Sequence, residues 1–180
     1  HAIYAEKDFT LTDGEVEAET SGNLSYGIDA KNNVKISGGS ISESLDSAGL
    51  LSMGIVAEKN TLSVSGGEIN ISGTGDGKVG LYSPDGDTVF SGGKITVELS
   101  GEGTTGVFSG KELKISGGEL SISANSKDAF SKAAMWSARN MEITGGKLNV
   151  ENISTDADPA IRCGDAYTLT VTGGETTALP

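Results

Sequence analysis

Tyr82, Phe108 and Trp136 stand at the same place in a phrase that recurs about every 27 residues, and Tyr4 holds that place near the start of the chain. Rings spaced evenly along one line can stack on successive sugar faces, and Tyr and Trp add a polar edge. Asp29, Val56 and Arg162 occupy the other positions of the line, so mutual stacking that stabilises a parallel sheet is the competing use of the same rings. A second chemistry is offered by Asp76 in Gly75-Asp76-Gly77, by Asp85 and Asp87 in Asp85-Gly86-Asp87, and by Asp156 and Asp158 in Thr155-Asp156-Ala157-Asp158. Calcium takes six to eight oxygens, and alternating aspartates in a turn supply both carboxylates and backbone carbonyls. No twelve-residue loop closing on a glutamate accompanies them, and Asp and Gly are also ordinary turn residues.

Catalytic sets are thin. His1 is the one histidine, which removes the usual Ser-His and Cys-His pairs. A polysaccharide lyase would need a lysine or arginine base beside calcium-binding carboxylates; Lys78, Lys94 and Arg162 are candidates only because bases are few. The 25 acidic residues would always place some pair at a glycosidase spacing, so such pairs carry no information. Gly75-Asp76-Gly77-Lys78-Val79-Gly80 spells a dinucleotide fingerprint, but another strand and turn follow it where a helix is required. Cys163 falls in a row of Ala and Ser and reads as a small buried residue, not a reactive thiol. The expectation is a protein that is not an enzyme.

The elements that must position these residues are legible. The phrase reads Lys35-Ile36-Ser37-Gly38-Gly39-Ser40-Ile41, Ser63-Val64-Ser65-Gly66-Gly67-Glu68-Ile69 and Val89-Phe90-Ser91-Gly92-Gly93-Lys94-Ile95. It returns as Lys114-Ile115-Ser116-Gly117-Gly118-Glu119-Leu120, Glu142-Ile143-Thr144-Gly145-Gly146-Lys147-Leu148 and Thr170-Val171-Thr172-Gly173-Gly174-Glu175. Apolar and polar residues alternate on both sides of the glycines with the period of a half-buried strand. A third extended run, as in Gly54-Ile55-Val56-Ala57 and Gly106-Val107-Phe108-Ser109, follows a loop of variable length. Three runs and three turns close one coil, and one coil cannot bury its apolar face without a neighbour stacked on it. Stacking predicts an inward ladder of Ile3, Ile28, Ile55, Leu81, Val107, Met135 and Ile161, with Ala5, Ala30, Ala57, Ser83, Ser109, Ser137 and Cys163 beside it. The charged residues after the glycines, Glu68, Lys94, Glu119, Lys147 and Glu175, alternate in sign and read as a solvated face. Leu50, Leu51 and Phe130 are apolar within the longer loops and are expected to fold back over the core.

The expected fold is therefore all-β: a right-handed single-stranded parallel β-helix of about six to seven coils of 25–28 residues, three short strands per coil. Residues 1–180 form one segment whose two ends cut through a coil, which predicts neighbouring coils or domains in a longer parent chain. The recurring "LxISGGxIxI … GIxA" resembles the right-handed parallel β-helix modules of secreted Gram-positive bacterial proteins described as carbohydrate-binding and polysaccharide-lyase-like, over essentially the whole chain. That resemblance implies polysaccharide binding at an extracellular cell surface, often with calcium.

Composition narrows the partners. A net charge of −12 repels phosphate backbones and anionic membranes, so nucleic acid is not an expected partner. No apolar run is long enough to cross a bilayer as a helix, so membrane insertion is not expected. The expected function is non-catalytic binding of a plant cell-wall or cell-surface glycan, with calcium as a helper. A stalk or adhesin solenoid without a small ligand is the alternative, and a lyase fragment stands third.

Overall fold

The computed structural model describes residues 1–45, 51–127, 129, 132–156 and 158–180. Among them the chain is a parallel β-solenoid of about six turns. The third runs form a seven-stranded sheet from Ile3–Ala5, Ser25–Ala30, Ser52–Ala57, Lys78–Ser83, Thr105–Ser109, Met135–Ser137 and Ile161–Cys163. The first and second runs form a ten-stranded sheet. In Val34–Ser44, Leu62–Gly73, Thr88–Leu99 and Leu113–Ala124 these two runs are continuous through the glycine pair, where the register shifts. A bulge bends a strand without ending it, which is why the corner does not divide the sheet there.

Both glycines of the pair are required, for different reasons. Gly93 has φ +84°, a left-handed conformation that a side chain resists. Gly92 instead lies against the coil below, where a Cβ would fall on the carbonyl oxygen of Ser65. The same carbonyl contact recurs beneath the first glycine of every other pair.

Inside the coil the expected ladder is in place, with Ile28 paired to Ile3 and Ile55, and Val107 to Leu81 and Met135. Ile28, Ile55, Leu81, Val107 and Met135 are completely buried. Across the core, Gly54, Gly80 and Gly106 face the large side chains of Ile71, Val97 and Ile122, whose branches would meet any Cβ placed there. Large opposite small keeps the two sheets close and the core thin, which is how so few aromatics fill it. The small row also serves the corner: the hydroxyls of Ser83, Ser109 and Ser137 donate to the carbonyls of Asn60, Gly86 and Lys111 in the coil below. Cys163 ends that row half-buried, its thiol donating to the carbonyl of Tyr167.

One inward position breaks the apolar rule. Glu43 lies between Ala18 and Ile71 in register and is 2% exposed. Neither carboxyl oxygen has a hydrogen-bond partner among the described residues. A Cβ on Gly27 or Gly54 would come within 2.7 or 2.6 Å of this carboxyl, so two absent side chains make its room. Burial alone pushes its pKa up to about 8.

A polar ladder runs up the corner before the first strand. Asp8 Oδ1 accepts from the backbone N–H of Asn33 at 3.0 Å and from Asn33 Nδ2 at 2.8 Å. Asn33 Oδ1 accepts from Thr61 N–H, Asp87 Oδ1 from Glu112 N–H and Asn140 Oδ1 from Thr168 N–H. Each side chain thus satisfies a turn amide of the next coil. Asn33→Ala removes both an acceptor and a donor from this ladder and is expected to lower unfolding free energy by about 1–2 kcal/mol. A urea titration measures it, and an unchanged midpoint would mean the turn amides are satisfied without it.

Candidate functional site

The aromatic line forms as the repeat requires. Tyr82 pairs with Phe108 and Phe108 with Trp136, while Val56, Asp29 and Tyr4 continue the row below and Arg162 above. Parallel strands hold the three rings one rung apart, with centroids 5.0 Å apart for Tyr82 and Phe108 and 4.9 Å for Phe108 and Trp136. The first pair is stacked at 30° and the second meets edge to face at 67°. Phe108 spends its ring on its neighbours and is 8% exposed, whereas Tyr82 and Trp136 stay half-buried. The rings belong to a second apolar cluster outside the coil, with Met53, Val56 and Val79, against which Leu51 and Tyr26 pack. Leu51 thus covers this outer cluster and not the inner core. Leu50 and Phe130 lie outside the described residues. Burial also pushes the Tyr82 hydroxyl pKa up.

Tyr4 is apart from this strip. It is 43% exposed, three rungs below Tyr82, with the Lys31 ammonium 5.6 Å from its ring centroid. Beside it Asp29 is 1% exposed and its Oδ2 lies 2.9 Å from His1 Nδ1. Burial, then the charge of Glu58, raises the Asp29 pKa to about 6.

The aspartates do not gather. Asp76 precedes and Asp85 and Asp87 follow the six-residue strand Lys78–Ser83, which separates them by roughly 20 Å. Asp76 Oδ1 accepts from Glu102 N–H at 2.9 Å, and Asp87 serves the corner ladder. Asp156 and Asp158 lie three coils above Asp76; Asp158 lends its carbonyl to Asn152 Nδ2 at 3.0 Å. Among the described residues no three potential metal ligands converge. The lyase-base candidates are engaged as well. Lys78 is fully buried and donates to the Asp76 carbonyl at 3.3 Å, Lys94 pairs with Glu68 at 3.0 Å, and Arg162 pairs with Asp165 at 2.8 Å.

Glu43 and the corner ladder escaped the sequence reading, although both lay in it. Counting by twos from Ile41 puts Glu43 inward, and aligning the repeats one residue before the first strand lines up Asp8, Asn33, Thr61, Asp87, Glu112, Asn140 and Thr168.

A parallel solenoid with register-locked rows of side chains presents equivalent groups repeatedly along its axis. The chain belongs to the family of carbohydrate-binding domain-containing proteins, whose model matches residues 1–179. Comparison with curated proteins and with solved structures returns no significant match. Membership suggests a carbohydrate-binding domain without catalysis and a carbohydrate as its partner. No helix among the described residues is long and apolar enough to cross a membrane.

Proposed function

We propose that this domain is a non-catalytic module that binds an extended polysaccharide of a plant cell wall or cell surface outside the cell. The observation that carries the reading is the strip of Tyr82, Phe108 and Trp136 in three consecutive coils, in a chain with 5% aromatic residues. The half-exposed rings of Tyr82 and Trp136 offer apolar surface to sugar faces, with Phe108 holding them apart and in line. Calcium, if used, would join the glycan to one aspartate turn at a time, since the turns are far apart.

The test is retention on insoluble cellulose, pectin and peptidoglycan, with and without calcium. Trp136→Ala is expected to weaken retention roughly tenfold, the equivalent of one lost stacking contact. Loss of retention on chelation would add the metal. A second reading, a stalk or adhesin segment without a small ligand, is favoured by the burial of Phe108 and the stacking of the rings on each other. Absence of retention on all three materials would select it.

A further inference from the structure

On the outward face of the second strands the residues just after the glycine pairs are spent in ion pairs, whereas those further along in the upper coils are polar side chains that the fold does not use. In register, Asn149 stands above Ser121, and Glu151 above Ser123 and Glu98 in successive coils. An open groove of about 500 Å³ runs over them, with Ile153, 40% exposed, on its wall. Elsewhere the same residue types are spent on the protein: Asn33 and Asp87 cap turn amides, Ser83 and Ser109 cap carbonyls, and Glu68 and Glu119 pair with Lys94 and Lys147. Ser121, Ser123, Asn149, Glu98 and Glu151 have no such bond within the described chain, and all of them line one groove.

We infer that this groove is a second carbohydrate contact, selective for a neutral glycan lying along the solenoid axis; this rests on the polysaccharide-binding reading. The rungs repeat at roughly 4.8 Å, close to the length of one hexose in an extended chain, so equivalent groups meet successive sugars. Glu98 and Glu151 accept from sugar hydroxyls, Ser121, Ser123 and Asn149 both donate and accept, and Ile153 covers an apolar ring face. The two carboxylates, on a chain of net charge −12, exclude uronate polymers.

Affinity electrophoresis through gels containing hydroxyethyl cellulose, a neutral β-1,4-glucan, or polygalacturonate with a chelator tests the inference. The parent is expected to be retarded by the neutral polymer and not by the anionic one. Glu98→Gln with Glu151→Gln, and separately Ser123→Arg, which fills the groove, are expected to weaken retardation about tenfold or more. Unchanged melting temperatures would confirm that these substitutions leave the fold intact. Loss in the groove variants supports the groove whatever Trp136→Ala does. Loss in Trp136→Ala with the groove variants unaffected overturns the groove and leaves polysaccharide binding standing. Stronger retardation of the parent by polygalacturonate overturns the neutral selectivity, and no retardation by the neutral polymer overturns the groove, while retention on the insoluble materials decides the polysaccharide-binding reading separately.

Discussion

Gly92→Ala is expected to destabilise the solenoid by about 3 kcal/mol or more, although it adds one methyl group at a corner open to solvent. The methyl would fall on the Ser65 carbonyl oxygen of the coil below, and that oxygen is main chain, so no side chain can swing aside. The coils must part at this corner or the ladder must shift. Gly14→Ala is the control. Gly14, unlike Gly92, has positive φ, +94°, but nothing lies within 4 Å of its added Cβ, so only the conformational cost of about 1 kcal/mol remains. Equilibrium urea unfolding of the two variants separates close approach from backbone strain. Equal losses would show that the glycine pair is a turn requirement alone.

Glu43→Ile is expected to stabilise the protein at pH 7 by about 3 kcal/mol, because it replaces a carboxyl that must stay protonated in the core. Ile71 occupies the next place in the same row, so the shape is already accepted there. The sign follows from linkage. The folded pKa, about 8, exceeds the ordinary carboxylate value of 4.5, so folding takes up a proton between these limits. Parent stability is undiminished by this group below pH 4.5, falls as pH rises through the window, and levels off above about pH 8. Asp29, raised to about 6, contributes in the same direction at the lower end. Glu6, Asp8, Glu68 and Glu112, each held low chiefly by a hydrogen-bonded partner, act oppositely and only in acid. Between about pH 6 and 8 Glu43 therefore contributes a stability that falls as pH rises. Glu43→Gln should flatten the melting temperature over that range; a profile parallel to the parent's would show that the carboxyl finds water or a partner.

Most of the fold was legible because a solenoid writes its register into its repeat. The rows of Ile28 and Ile55, of Ser109 and Ser137, and of Tyr82, Phe108 and Trp136 all follow from aligning one coil on the next. What the repeat could not tell was the depth of an outward residue. Phe108 occupies a position that points away from the core, yet Met53 and Val79 build a second apolar layer around it. Met53 and Val79 lie two places before the inward Ile55 and Leu81, so strict alternation would send them inward as well, and only the structure shows them in the outer layer. The aspartate turns show the same limit from the other side. Asp85 and Asp87 look like ion ligands by spacing, but one coil higher a backbone N–H of Glu112 already claims Asp87. Glu43 was hidden for a different reason: charge was read as exposure, when strand parity put it inside.

The backbone hydrogen bonds that pair strands of successive coils run along the solenoid axis, which gives the domain a definite mechanical character. Tension applied between its two ends loads one rung at a time, so the coils should peel off singly and not shear together. A coil occupies roughly 4.8 Å of height but holds about 27 residues, or about 90 Å of extended chain. Each rung lost would therefore lengthen the tether many times over, and a domain pulled between its two ends would absorb the load in small, repeated yields.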